Sequence, residues 1–223
     1  MAGELKTKRV LFQGDSITDC GRDREDTWNL GQGYPKFFAH LWEEERKHAA
    51  SEQPTLLYLN RGISGDRTKN LLERFDTDVA DLEPDVLVLM IGINNAWRAV
   101  DANDPTAPET FEAELETFLQ QTKALASQPA IIILEPFLLE TADNYVAFRE
   151  DLNPKIEVTR RLAKAYADLY VPLDGLLNAR ALNGPGAFAL AEDGVHPTEE
   201  GHETIADYLH QYLTTEAADD LLS

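Results

Sequence analysis

Cysteine is nearly absent. A single Cys20 among 223 residues can close no internal disulfide and build no thiolate metal cluster. Long apolar runs are missing too, since nothing approaches the roughly eighteen apolar residues that cross a bilayer. The start, Met1 to Arg9, is polar, and the apolar stretch behind it is only Val10-Leu-Phe12. That is too short for a signal-peptide core, so a cytoplasmic location is expected. Positive charge is scarce: Lys and Arg number 20 against 40 Asp and Glu, a net charge of −20. Such acidity disfavours phosphate backbones and anionic lipid, so neither nucleic acid nor membrane is expected as a partner. Solubility is the simplest reading of the charge, and a high-salt habitat is a second one. No Pro/Gly/Ser-rich linker, repeat or low-complexity segment divides the chain, so residues 1–223 read as one domain. Residues 216–223 read as a frayed acidic tail.

What is present is alternation. Arg9–Gln13, Thr55–Leu59, Val86–Ile91 and Ala130–Leu134 are short runs with few interruptions in their apolar character, and Leu169–Leu173 is a weaker fifth. Continuous rather than alternating apolar character suits strands buried on both faces of a parallel sheet. Helical spacing fills the intervals at Tyr34–His48, Asp66–Leu82, Glu109–Ala126, Tyr145–Ala167 and Thr198–Leu213. Pro154 is expected to kink or break the fourth of these. The order predicts an α/β fold with helices on both faces of a parallel five-stranded sheet, and chemistry at the carboxyl ends of the strands.

Four segments stand where that rule points. Gly14-Asp15-Ser16 follows the first strand. Alone it reads equally as a turn or a helix cap. Asn60-Arg-Gly-Ile-Ser-Gly65-Asp66 follows the second, where a free Gly65 N–H can face an anion and Asp66 can cap the next helix. Gly92-Ile-Asn94-Asn95 follows the third and offers a neutral amide donor from a loop. Asp193-Gly-Val-His196 precedes the last helix, and its spacing lets the carboxylate orient the imidazole toward Ser16. Together they supply a nucleophile, a base, an orienting acid and two donors, the inventory for acyl transfer.

In order and content these segments resemble the four blocks of the SGNH hydrolases, also called the GDSL esterase family. The likeness runs from Val10 to about Tyr212. It implies a three-layer, flavodoxin-like α/β/α fold and ester hydrolysis through an acyl-enzyme. It implies Ser16, His196 and Asp193 as catalytic residues, an oxyanion hole from Ser16, Gly65 and Asn94, and no metal or organic cofactor. One position departs: the third block usually ends in Asp, and here it ends in Asn95. The expected consequence is an altered supporting hydrogen bond with activity kept. Asp15–Gly21, Asn60–Gly65 and Trp97-Arg98 look most like bacterial acetylesterases that deacetylate xylan. That implies a small ester or acetylated oligosaccharide as substrate, with Asp15 and Trp97 among the residues that bind it. Arylesterases, thioesterases and lysophospholipases of the same family are the alternatives.

Other classes have less support in the residues. A metal-dependent phosphoesterase needs clustered ligands, and His40, His48, His196, His202 and His210 form no ligand motif. His40, His48, His202 and His210 are expected at the surface or half-buried. A nucleotide binder lacks a Gly-rich phosphate loop after the first strand. A silent binding module remains open on fold grounds alone. Trp42 reads as core, Trp28 as a lid, subunit contact or loop anchor, and Trp97 equally as core or pocket wall. Cys20 reads as an inert thiol, because no histidine adjoins it in sequence. Monomer and homo-oligomer both remain open.

Overall fold

The computed structural model describes residues 7–47, 54–141, 145–215 and 221–222. Five parallel strands, β1 (Thr7–Gly14), β2 (Thr55–Asn60), β3 (Val86–Met90), β4 (Ala130–Leu134) and β5 (Leu169–Val171), form one sheet in the order β2-β1-β3-β4-β5. This is the expected flavodoxin-like arrangement. Phe12 pairs with Asn60 on one side and Val88 on the other, so the carboxyl ends of β1, β2 and β3 lie side by side. β2 lies on one side of β1, and β3, β4 and β5 follow on the other, so the order in which strands are laid down reverses between β1 and β3 and opens a crevice at their ends.

Residue parity along the strands explains the layers. Val10, Phe12, Val86, Val88, Ile132 and Leu134 face one apolar cluster, while Leu11, Leu87, Leu89, Ile131 and Ile133 face the other. The first face is covered by α2 (Tyr34–Arg46), α8 (Leu173–Asn183) and α10 (Glu199–Leu213). The second is covered by α3 (Thr68–Glu73), α4 (Phe75–Asp78) and α6 (Pro108–Lys123). The remaining helices are α1 (Ser16–Asp19), α5 (Ile93–Asp101), α7 (Tyr145–Tyr166) and α9 (Ala187–Leu190). α7 serves both faces, with Leu152 and Ile156 in one cluster and Val158 and Leu162 in the other.

Several expectations need correcting. The helix expected over 66–82 is broken into α3, α4 and a 3₁₀ turn at Ala80–Leu82. Asp66 caps nothing there. The break falls at Arg74, whose backbone leaves helical geometry (φ −116°, ψ 16°) as its side chain turns in toward the end of β1. Pro154 lies inside a single helix, α7, rather than ending it. Leu173 opens α8 after Pro172 instead of extending β5. The loop expected around Asn94 is the first turn of α5, and α8 and α9 were not anticipated. His48 and the acidic stretch 216–220 lie outside the described residues.

His202 is buried, not at the surface. Its Nδ1 accepts from Tyr34 N–H at 3.2 Å, and its Nε2 lies 3.2 Å from Cys20 Sγ. Cys20 therefore does adjoin a histidine in space. With Nδ1 accepting, the neutral ring carries its proton on Nε2 and donates to sulfur. Burial pushes the Cys20 thiol up, so the pair stays uncharged. Burial also pulls His202 from 6.5 down to about 4. The unfolded chain thus binds a proton that the folded chain refuses. This contribution to stability is complete above 6.5 and is lost as the pH falls toward 4. Urea unfolding from pH 7 to pH 4 is expected to show a steeper loss for the native chain than for His202→Gln. Parallel losses would contradict this source of acid sensitivity.

Candidate active site

Three side chains from distant parts of the chain join at the crevice. Ser16 opens α1 directly beyond β1, and its Oγ lies 3.0 Å from His196 Nε2. His196 Nδ1 lies 2.7 Å from Asp193 Oδ2. The other Asp193 oxygen accepts from the backbone N–H groups of Val195 and His196 at 2.9 and 2.7 Å. Partial burial pulls the Asp193 carboxyl upward, but the bonds from His196 and Val195 outweigh it and hold it below its ordinary value. A carboxylate so held orients Nδ1–H and leaves Nε2 free to accept from the serine. The turn between them needs Gly194 (φ +82°), where a Cβ would meet Leu139 O at 2.4 Å. Leu139 N–H donates to Gly194 O at 2.9 Å and ties this loop to the end of the sheet. A shallow depression of about 420 Å³ lies alongside, lined by Glu192, Asp193, His196, Pro197 and Thr198.

The loop after β2 packs against α1. Ile63 N–H donates to Gly14 O at 3.1 Å, and Asp19 Oδ2 accepts from both Ser64 N–H and Ser64 Oγ at 3.0 Å. Gly65 follows in the left-handed region (φ +88°) and is exposed. Asn94 is 4% exposed, and its Nδ2 donates to Asp66 O at 3.1 Å. That bond uses one amide hydrogen and leaves a second. Ser16 N–H is spared as well, because Asp15 Oδ1 caps the next one, Ile17 N–H, at 3.1 Å.

Asp15 was expected to touch substrate. It is 1% exposed instead, with Oδ2 lacking a partner within the protein, so it lies under the site rather than in it. Burial pushes its carboxyl up to about 7, against the pull of Ile17 N–H and of the His196 charge. Trp97 is part core and part site: its ring centroid is 5.8 Å from Phe148 and 5.4 Å from His196. Trp28 is 59% exposed on a turn fixed by Asp26 Oδ1, which accepts from Trp28 N–H at 3.0 Å. Trp42 stacks on Phe38 in the core margin.

Asn95 has a local reason. Thr68 Oγ1 donates to Glu114 Oε2 at 2.5 Å, so that oxygen needs a donor in return. Asn95 Nδ2 supplies it at 3.0 Å, while Asn95 Oδ1 accepts from Thr68 N–H at 3.3 Å. An ionised aspartate could accept but not donate. Some supports escaped sequence reasoning. Asn60 bonds Thr18 O, Leu30 O and Gly62 N–H from a buried position, and Asp19 receives Arg24 at 2.6 Å. Thr18 and Leu30 lie 42 and 30 positions from Asn60, and nothing in the sequence around it names them. Among the described residues, no group of three or more His, Cys, Asp or Glu side chains could hold a metal.

The model of the GDSL-like lipase/acylhydrolase family matches residues 12–204. The chain belongs to this family. It is a carboxylic ester hydrolase. It is 31% identical over 207 residues to an acetylxylan esterase of Geobacillus stearothermophilus, covering 89% of this chain and 90% of the relative. The crystal structure of Axe2, an acetylxylan esterase from the same organism, superposes with a TM-score of 0.83 at 29% identity, covering 96% and 98% of the two chains. LAE5, an α/β hydrolase enzyme from the metagenome of Lake Arreo, Spain, gives 0.80 at 30% identity, covering 97% of each. Among the described residues, no helix is long and apolar enough to cross a membrane.

If this geometry carries the hydrolysis, Ser16→Ala and His196→Ala each remove most p-nitrophenyl acetate turnover while the proteins still unfold cooperatively in urea. Asp193→Ala is expected to lose less than either, because the hydroxyl and the imidazole both remain and only their orienting partner goes. Near-native turnover in folded Ser16→Ala would contradict the assignment.

Proposed function

We propose that this esterase removes acetyl groups from carbohydrates, such as acetylated xylo-oligosaccharides, through an acetyl-enzyme formed on Ser16. The unbroken chain Asp193–His196–Ser16, at 2.7 and 3.0 Å, carries the mechanism. Ser16 Oγ attacks the ester carbonyl carbon as His196 Nε2 takes its proton. The carbonyl π electrons move to oxygen, which the N–H groups of Ser16 and Gly65 and the free Asn94 amide hydrogen receive. When the C–O bond to the sugar breaks, His196 returns the proton to the departing alkoxide. Water repeats the sequence on the acetyl-enzyme and releases acetate. Asp193 holds the imidazole and stabilises its charged form throughout. Donors fixed before the reaction stabilise the oxyanion without reorganising.

Three observations favour a small acyl group on a sugar. Trp97 offers an aromatic face beside His196, where the departing alcohol must pass. The loop between α1 and α2 brings guanidinium and carboxylate groups rather than an apolar tunnel: Arg22 is tied to Gly62 O and Arg24 to Asp19. An alkyl tail gains about 0.8 kcal/mol per buried methylene only where apolar surface receives it. The acetylxylan esterase relative points the same way. The expected kcat/KM is higher for p-nitrophenyl acetate than for the octanoate, and acetate is released from acetylated xylo-oligosaccharides. Octanoate preference without release from the sugars would instead favour the lysophospholipase or thioesterase alternative.

A further inference from the structure

The Arg74 side chain is 13% exposed, and all five of its guanidinium N–H donors are engaged. Nε donates to Asp66 Oδ2 at 2.8 Å. Nη1 donates to Asp78 Oδ2 at 2.7 Å and to Arg61 O at 2.8 Å. Nη2 donates to Gln13 Oε1 at 2.7 Å and, more weakly, to Gly14 O at 3.4 Å. Asp78 lies on Arg74's own helical segment. The other acceptors belong to the segments that carry the oxyanion donors. Gln13 and Gly14 end β1, immediately before Asp15 and Ser16. Arg61 and Asp66 bracket the loop that contains Gly65. Asp66 O in turn accepts from Asn94 Nδ2 at 3.1 Å, which extends the connection to α5.

One planar cation therefore links the ends of β1 and β2 directly, and that of β3 through Asp66 and Asn94. An ion pair of this kind is a weak source of net stability, although removing one partner is costly. Its planar fork does fix the relative placement of whatever it binds. The helix breaks at Arg74, so local regularity is given up where the side chain enters this position. The acid–base pair is supported from the opposite side. Leu139 N–H holds Gly194 O, and neighbouring Leu138 N–H donates to Asp174 Oδ1, itself bonded by Arg149.

We propose that Arg74 is a positioning residue for ester hydrolysis, setting the mutual placement of the Ser16, Gly65 and Asn94 donors without touching substrate. The proposal rests on the oxyanion donors assigned above. A displaced donor weakens the transition state and leaves ground-state binding nearly alone. Because Arg74 does not bond the His196–Asp193 pair, its loss should leave the acidic limb of the pH–rate profile in place.

The test measures kcat and KM for p-nitrophenyl acetate across pH, with urea unfolding, for Arg74→Lys, Asp66→Asn, Asn94→Ala and the double variant Arg74→Lys/Asn94→Ala. Lysine keeps the charge but has no fork. Asn94→Ala is expected to lower kcat by ~10²–10³, the usual loss for one oxyanion donor, and Arg74→Lys by about tenfold. KM should change by less than about threefold in Arg74→Lys, with the acidic limb unmoved. The double variant should lose less than the product of the single losses, since both act through the same donors. Asp66→Asn keeps the carbonyl that accepts from Asn94 but loosens the tie to Arg74, so it should lower kcat in the same sense. It also keeps the proposal testable if Arg74→Lys does not fold. Wild-type kcat in folded Arg74→Lys or Asp66→Asn, or losses that multiply with Asn94→Ala, would overturn the proposal. Wild-type kcat in Asn94→Ala would overturn the donor assignment itself and the proposal with it.

Discussion

The contact between Ser16 Oγ and His196 Nε2 joins residues 180 positions apart across 3.0 Å. Neither residue's sequence neighbours bring it to the other. Ser16 is placed by β1, an interior strand of the sheet with β2 and β3 bonded on either side. His196 is placed by the turn before α10, and α10 is placed by its packing on α2 and β5. An error of one ångström along this path would separate the hydroxyl from the imidazole, and in the proposed mechanism, which depends on their orientation, catalysis is lost over such distances. The buried sheet and its two apolar clusters are thus the frame that makes a hydrogen bond between a half-buried helix start and an exposed loop reproducible.

The charges around the crevice follow from the same geometry. In a chain of net charge −20, carboxylates are plentiful, and a developing oxyanion is badly served by free ones nearby. Each carboxyl group in the surrounding network has its own solution. Asp193 faces the imidazole and the backbone N–H groups of its own turn. Asp19 is held below its ordinary value: burial pulls it upward, and Arg24 and Ser64 more than compensate. Asp66 lies against Arg74, yet burial still pushes its carboxyl above the usual range. Asp15 is raised by burial to about 7, so below that pH it is mainly the neutral acid beneath Ser16.

The sequence was most informative where one residue's neighbours along the chain determine its environment. The apolar runs located all five strands, and the ends of those strands located Ser16, Gly65 and Asn94. Shapes that depend on distant partners were not legible. Arg74 looks like an ordinary helical arginine until Gln13 and Asp66 are brought beside it. Asn95 looks like a departure until Thr68 is seen to spend its own proton on Glu114. His202 reads as a surface or half-buried residue of α10 because its partners, Cys20 and Tyr34 N–H, come from the opposite end of the chain. Asp15 was misplaced for the reverse reason: sequence adjacency to Ser16 suggested contact with substrate, whereas the first turn of α1 points the two side chains apart in burial.

The most direct measurement is titration of the native chain with a serine-reactive fluorophosphonate, followed by peptide mass mapping and residual esterase activity. The account predicts a single adduct on the peptide containing Ser16, formed in proportion to the activity lost, and much slower labelling when His196 is replaced. An enzyme that stays active without modification, or one inactivated through a different residue, would contradict it.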